Sequence, residues 1–437
     1  MCYVQDNCRG QSLCYDLEPG DRNFNKVEIK ERYTTRAYHI QTSIDRTVTR
    51  TMITVVLRAI PPSRSTVIFS SFFFHNTQWL GRKSTEKHQT CLPAAAYKKL
   101  DTWIPTKVYL ELSKSRLTAL NVLTAMSGVA LSPLPTTVPI LLSTAVGTAL
   151  CSASANSLNQ LQEVPFDAQM ARTRNRPLCR RAISPVNAAA FAMMTGITGP
   201  VLLWMAVNPT TAILGVGNIA LYAGMYTWMK RHSIWNTWLG AIVGAIPPLM
   251  GWTACGGKLW PTVDYPVHLF LPNFISSDLP ALDPSFIDNP LAPFALFVFL
   301  FSWQFPHFNS LSYVVRGSYA QAGYRMLSNL DPATNALMSL RHAALFVPIC
   351  SILVPLSGLT TWAFALTALP PNLIILHAAW KWWRFGGEKQ AGRVFQHSLW
   401  YLPVMMGLMM FHKQGMDWSK WLGLLEEDKD ETSAVEA

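Results

Sequence analysis

Uncharged, mostly apolar runs recur along this chain over residues 117–162, 182–229, 232–257, 289–315, 342–380 and 394–412, none containing Asp, Glu, Lys or Arg. A membrane-spanning helix requires about 20 predominantly apolar residues. The longest runs carry internal turn signals, Ser132-Pro133-Leu134-Pro135, Asn208-Pro209 and Ser357-Gly358, which divide each into two helices. The pattern predicts an all-α integral membrane protein with nine transmembrane helices in a single bundle around a central cavity. The expected spans lie near 116–132, 138–160, 185–206, 210–229, 236–254, 291–314, 342–357, 360–380 and 397–412.

The distribution of charge gives these spans a direction. Loops after the second, fourth, sixth and eighth spans carry Arg172, Arg174, Arg176, Lys230, Arg231, Arg316, Arg325, Lys381 and Arg393, whereas those after the first, third and seventh have no charge. The long loop after the fifth span sets Lys258 against Asp264, Asp278, Asp283 and Asp288. An odd number of spans puts the N-terminus and all the basic loops on one face, which the positive-inside rule assigns to the cytoplasm or the mitochondrial matrix. The acidic segment Glu426-Glu427-Asp428-Lys429-Asp430-Glu431, within a C-terminal tail over 414–437, falls opposite. Composition agrees: 50% of the 437 residues are hydrophobic and 14% charged, against roughly 25% charged in soluble domains. The net charge of +11 follows from this topology and from anionic ligands, with no nucleic-acid partner required.

Residues 1–100 read as a targeting or disordered region ahead of a bundle over 101–413. Asp6, Asp16, Glu18 and Asp21 do not suit a transit peptide, but 52–85 carries Arg58, Arg64, Arg82, Lys83 and several serines without an acid. Translation from Met52 is therefore expected. Cys2, Cys8 and Cys14 belong to this leader, and the eight cysteines form no CxxC pair, hence neither a zinc site nor a disulfide framework.

Chemistry concentrates in residues 159–177, NQLQEVPFDAQMARTRNRP, where the uncharged run ends in Glu163, Asp167, Arg172, Arg174 and Arg176. Ionisable groups at a membrane boundary are costly and usually functional. Asn159, Glu163 and Asp167 are spaced i, i+4, i+8 and share one helix face, offering oxygen ligands to a hard cation such as Mg2+, which in turn holds a phosphate. Pro165 would bend a helix continuing that far, so the carboxylates are expected to straddle a helix end. A second block, Tyr226-Thr227-Trp228-Met229-Lys230-Arg231 followed by Asn236, places two cations on the same membrane face as Asp167, suited to a diphosphate. A third, Phe301-Ser302-Trp303-Gln304-Phe305-Pro306-His307-Phe308 with Arg316 and Tyr319 beyond, sets a histidine among aromatics that can face a planar substrate.

The strings ExPxDxxMxRTxxRPL at 163–178, YTxxKR at 226–231, GAxPPLMGW at 244–252 and WQxPHF at 303–308 occur in order within the expected spans. Over about 108–413 the chain resembles the UbiA-type intramembrane prenyltransferases, and within them the protohaem IX farnesyltransferase (haem O synthase) branch. The resemblance implies transfer of the farnesyl group of farnesyl diphosphate to a vinyl group of protohaem IX. Asn159, Glu163, Asp167 and Lys230 would then be catalytic, the first three holding Mg2+. Arg172, Arg176, Arg231, Asn236, His307, Arg316 and Tyr319 would bind substrate, with His307 near the haem. It also implies an inner mitochondrial membrane location and, as a partner besides lipid, the enzyme converting haem O to haem A. One departure stands out. Where the family carries acidic residues before the tyrosine of its second ligand loop, this chain reads Arg316-Gly317-Ser318-Tyr319, and the next acid is Asp331. A single ion assisted by Arg316 and Arg325 is therefore as compatible as two. The competing readings are a prenyltransferase for a quinone-ring precursor and a non-catalytic haem-handling transporter.

Overall fold

The computed structural model describes residues 106–272 and 288–416. Expectations for the leader over 1–100 and for most of the acidic tail fall outside these residues, as does Asp283. The described residues are helical, with one isolated β-bridge between Thr360 and Lys413 and no strands.

A short helix α1 (Thr106–Leu112) leads into α2 (Ser115–Leu131), α3 (Val138–Asp167) and α4 (Pro185–Ala206). Next, α5 (Pro209–Ile219) passes through a π-helical segment (Ala220–Tyr226) into α6 (Thr227–His232), and α7 (Asn236–Ala254) follows. The rest comprises α8 (Leu291–Val314), two short helices α9 (Arg316–Gln321) and α10 (Leu327–Leu330), and α11 (Pro332–Pro348), which continues through a second π segment (Ile349–Leu353) into α12 (Val354–Leu356). The last are α13 (Ala363–Thr367), α14 (Leu369–Phe385) and α15 (Glu388–Phe411). Each of the nine expected spans thus coincides with helical structure. Among the described residues five stretches, fewer than the nine expected, are long and apolar enough to cross a membrane: Val138–Asp167, Pro185–Ala206, Leu291–Val314, Pro332–Leu356 and Ala363–Phe385.

Turn chemistry explains where several helices begin. Proline tolerates the first helical turn because its missing N–H has no partner there anyway, and Pro185, Pro209 and Pro332 all occupy that turn. The residue before each caps the helix. Ser184 Oγ accepts from the Asn187 backbone N–H at 3.2 Å, Asn208 Oδ1 from Thr211 at 2.8 Å and Asp331 Oδ1 from Thr334 at 2.9 Å.

Contacts between helix ends show the chain alternating in direction. At one end, Lys413 Nζ donates to the carbonyls of Ala130 and Ser132 at 2.8 Å each, Asn208 to Thr253 O at 2.6 Å, and Asn289 to Ser357 O at 2.9 Å. At the other, the Arg325 N–H donates to Lys230 O at 2.8 Å and Arg316 pairs with Glu388 at 3.0 Å. This second end gathers the basic loops. The helices pack as one bundle, with α3 on α4, α2 on α7, and α8 against α7, α11 and α15. The larger core, around Phe299, Phe346, Trp382 and Tyr401, lies in the second half; a smaller one of Cys151, Leu203, Ala212, Ile246 and Met250 holds the first. Many large apolar residues remain on the outside, among them Met205, Ile213 and Leu366, the inverse of a soluble bundle and the surface lipid would cover.

Candidate active site

Helix α3 passes Pro165 without ending and stops at Asp167, so both carboxylates lie in its last two turns. The carboxylates therefore do not straddle a helix end as expected: the helix continues through Pro165 and holds both of them, and the span is longer than its apolar part. Asn159, Glu163 and Asp167 fall on one face, and all three are buried, at 0%, 5% and 1% exposure. Burying carboxylates requires partners, and each of the three oxygen-bearing side chains has a cation. Lys114 Nζ donates to Asn159 Oδ1 at 2.7 Å, Lys230 Nζ to Glu163 Oε1 at 2.7 Å, and Arg176 to Asp167 Oδ2. Arg176 also reaches Glu163 Oε2 at 3.9 Å. Burial opposes the charge on Arg176, but Asp167 and then Glu163 outweigh it and hold the guanidinium above its ordinary pKa.

The π segment shapes the facing wall. A π turn inserts one residue and frees backbone carbonyls, and here side chains take them up: Thr227 Oγ1 donates to Tyr222 O at 2.8 Å and Gln162 Nε2 to Ala223 O at 2.8 Å. Asn159 Nδ2 in turn donates to Thr227 Oγ1 at 3.0 Å, which fixes the Asn159 oxygen toward Lys114. Tyr222 and Tyr226 stack with centroids 5.3 Å apart, and Lys230 sits over the Tyr226 ring at 4.6 Å. Arg231 covers the Phe166 ring at 4.8 Å.

The loop after α8 closes the same end. Arg172 Nη2 donates to Tyr319 Oη at 3.2 Å, and Met170, Tyr319, Ala322, Tyr324 and Met326 form a local apolar cluster beneath. Asn236 Nδ2 donates to Ser233 O at 2.6 Å and Arg325 O at 3.2 Å, tying that loop to the start of α7. Asn159, Glu163, Asp167, Arg172, Arg176, Lys230, Arg231, Asn236 and Tyr319 therefore gather at one end of the bundle. Two expected residues stand apart. Arg316 turns to α15, pairing with Glu388, donating to Tyr313 O at 2.8 Å and lying 4.1 Å from the Tyr313 ring. His307 packs on α15 as well, Nδ1 at 2.9 Å from Ser398 Oγ, its ring stacked on Trp303 at 4.6 Å and tilted to Phe395 at 5.1 Å.

Lys114 is the site residue that the sequence conceals. It joins α1 to α2 in the left-handed conformation, φ 51° and ψ 55°, at a cost of about 1–2 kcal/mol for a residue with a Cβ. Desolvation of its ammonium, then the charges of Arg176 and Lys230, lower its pKa to about 7 against the opposing pull of Glu163 and Asp167. Its only sequence signal is being a cation at the head of an uncharged run. His342, whose ring stacks on Phe305 at 3.6 Å and whose Nδ1 is buried without a hydrogen-bond partner, likewise has no distinguishing motif.

Residues 121–400 match the model of the UbiA prenyltransferase family. The chain belongs to this family. It is 42% identical over 335 residues to a Gibberella zeae protein named "Protoheme IX farnesyltransferase, mitochondrial", covering 74% of this chain and 63% of that one. A Yarrowia lipolytica protein of the same name is 40% identical over 371 residues, 80% of this chain and 71% of that one. The human protein of that name is 41% identical over 316 residues, 72% and 64% respectively. The chain thus spans somewhat under two thirds of the Gibberella and human relatives. Among solved structures it is similar to a digeranylgeranylglyceryl phosphate synthase (TM-score 0.56, 13% identity, 70% of this chain and 98% of that one). The UbiA homologue of Aeropyrum pernix superposes with a TM-score of 0.51 at 16% identity, covering 68% and 97%. At such identities the likeness concerns fold, that of an all-α integral membrane protein.

Proposed function

We propose that this protein transfers the farnesyl group of farnesyl diphosphate to a vinyl group of protohaem IX: the allylic C–O bond breaks as diphosphate leaves, the farnesyl carbon bonds to the vinyl group, and water adds to the resulting cation as the hydroxyl of haem O. The carrying observation is the buried Asn159, Glu163 and Asp167 face with Lys230 and Arg176 on its carboxylates, in a UbiA-family chain whose relatives bear the farnesyltransferase name.

The oxygen donors fit a hard cation. Asp167 Oδ1 is buried with no hydrogen-bond partner, which leaves one carboxylate oxygen uncommitted beside Glu163 and the Asn159 carboxamide. Glu163 and Asp167 are the carboxylates of this face, and the Asn159 carboxamide one turn earlier would be the third oxygen donor. Two carboxylates and an amide oxygen suit Mg2+. Bound there, Mg2+ would neutralise negative charge developing on the leaving diphosphate. The chain's own part is preorganised charge. Lys230 and Arg176 are held by the carboxylates, and Arg172 and Arg231 are braced on Tyr319 and Phe166, so cations already stand where diphosphate charge grows. The Tyr222–Tyr226 stack presents π-faces that stabilise an allylic cation, and the surrounding apolar helices limit its capture by water.

Relatives named mitochondrial and the basic loops at the site end support placing the protein in the inner mitochondrial membrane, with the site and N-terminus on the matrix side. An enzyme converting haem O to haem A would receive the product. The test is product analysis with purified protein, farnesyl diphosphate, Mg2+ and either haem or a hydroxybenzoate. Farnesylated haem is expected; prenylation of the hydroxybenzoate alone would replace this reading with the quinone-precursor one, and no product would favour a haem carrier.

His307 serves the acceptor side. Its ring joins Trp303 and Phe395 in an aromatic cluster against which a porphyrin would pack. His307→Ala is expected to weaken haem binding about tenfold, the order of one lost aromatic or hydrogen-bonded contact, with farnesyl diphosphate affinity unchanged. Absorbance titration of haem and calorimetry of the diphosphate check this, and equal losses in both would mean that His307 only clamps α8 to α15.

A further inference from the structure

We propose that the interface between α8 and α11 holds a file of ordered water, and that His342 at its inner end delivers the water that becomes the hydroxyl of haem O. The proposal rests on the prenyltransferase reading and deepens it by assigning the water-handling residues of the same reaction.

The file is drawn by side chains that face one another across the two helices. Asn335, Ser339 and His342 are spaced i, i+4, i+7 and share one face of α11. That face meets α8 at two points. Asn335 Nδ2 donates to Asn309 O at 3.1 Å and Asn309 Nδ2 returns a bond to Asn335 O at 3.3 Å. One turn away along α8, the His342 ring lies parallel on Phe305 at 3.6 Å and edge-on to Phe301 at 5.8 Å. Asn309, Asn335 and Ser339 are fully buried, yet Asn309 Oδ1, Asn335 Oδ1, Ser339 Oγ and His342 Nδ1 all lack a partner within the protein. Ser328 Oγ, on the short α10 that packs on both helices, is buried in the same condition. Such atoms are costly when left dry, and a row of neutral acceptors and hydroxyls suits water.

The row has two ends of different character. Asn335 lies near the first turn of α11, beside the exposed Asp331, Pro332 and Ala333 at the basic end of the bundle, where water has access. His342, two turns deeper, stacks on the WQxPHF string two residues from His307. The two histidines differ in what is free: His307 Nδ1 is engaged by Ser398 Oγ at 2.9 Å, whereas His342 Nδ1 is unengaged.

The reaction needs one water and must exclude the rest. Once the farnesyl carbon has bonded to the terminal vinyl carbon, the inner vinyl carbon is a cation conjugated with the porphyrin. A water held by His342 forms the C–O bond with an oxygen lone pair, its O–H bond breaks with the electrons kept on oxygen, and the proton moves to Nδ1 and back along the file to the aqueous end. Without that water the cation sheds a proton from the adjacent CH2 and becomes an alkene.

The test is the ratio of hydroxylated to alkene product, read by mass spectrometry after incubating the purified full-length protein in detergent with haem, farnesyl diphosphate and Mg2+. His342→Phe keeps the stack on Phe305 and removes the nitrogen; the ratio is expected to fall about 100-fold, the lower range for loss of a positioned proton acceptor. His342→Asn restores a polar atom near the Nδ1 position and is expected to recover part of the hydroxylated product. Asn335→Leu plugs the inlet with a side chain of similar size and is expected to move the ratio in the same direction as His342→Phe. A histidine that only packs α11 on α8 would lower both products together, so an unchanged ratio in His342→Phe overturns the proposal. Should that variant not fold, hydroxyl-radical labelling of the wild type in heavy-oxygen water decides. Phe305 is 1% exposed, so solvent oxygen on its ring reports internal water, and an unlabelled Phe305 refutes the file. Wild type that forms no farnesylated haem would remove the prenyltransferase reading instead, and the labelling still decides the file.

Discussion

Asp167→Asn is expected to lower the rate of farnesyl transfer about 100- to 1,000-fold, the loss typical of deleting one preorganised group that stabilises transition-state charge. Asn keeps the size and one oxygen of Asp, so α3 and its packing stay intact. What disappears is the negative charge shared by Arg176 and the uncommitted Oδ1. Breaking a fully buried ion pair is severe, but the Arg176 side chain is 25% exposed, and water screens the orphaned guanidinium. The stability cost is therefore only about 1 kcal/mol. Single-turnover product formation should fall while thermal unfolding in detergent barely moves and the Mg2+ concentration for half-maximal rate rises. Near-normal turnover would remove Asp167 from the site.

Much of the bundle could be read from hydrophobicity because lipid and protein interior both reject charge, so each uncharged run marks the middle of a helix. Its ends could not. Helix α3 runs on from residue 160 to Asp167, α11 starts at Pro332 and α15 at Glu388, well outside the apolar stretches. A helix does not stop where the hydrocarbon does. Polar residues continue it wherever neighbouring helices bury them, as they do Asn159, Glu163 and Asp167.

The site was legible where its residues share one helix. A spacing of i, i+4, i+8 requires nothing beyond helix geometry to bring three oxygens together. Residues from different elements were legible only as types. Arg316 and Lys114 are both cations at helix ends, yet the backbone turns one toward Glu388 and the other into the pocket. That choice depends on a left-handed residue between α1 and α2 and on the position of α15, neither of which has a local pattern. The π turn at 220–226 is hidden for the same reason, since no residue type in that run demands it.

The string GAxPPLMGW is one of those that carry the family resemblance, and the structure gives two of its residues a mechanical role. Helices α2 and α7 cross so closely that a Cβ on Gly251 would lie 1.8 Å from Ala125 O, and one on Gly128 would lie 2.1 Å from Pro248 O. Small residues at such crossings let backbones touch in membranes, where association depends on packing rather than on exclusion of water. Because the obstacle is backbone, no rotamer change relieves it and the helices must separate. Gly251→Ala is thus expected to cost at least about 3 kcal/mol, the upper range for overpacking a tight core, and to yield little monodisperse protein. The separation would also shift α7, whose first turn holds Asn236 and the loop bearing Arg325, so surviving protein should bind farnesyl diphosphate poorly. Gly407→Ala is the matched comparison, because a Cβ there meets nothing within 4 Å. It should leave stability within about 1 kcal/mol of wild type or raise it, Ala being the better helix former. Size-exclusion profiles and thermal unfolding of the two variants in detergent separate the outcomes, and equal behaviour would show that the α2–α7 crossing is looser than its geometry requires.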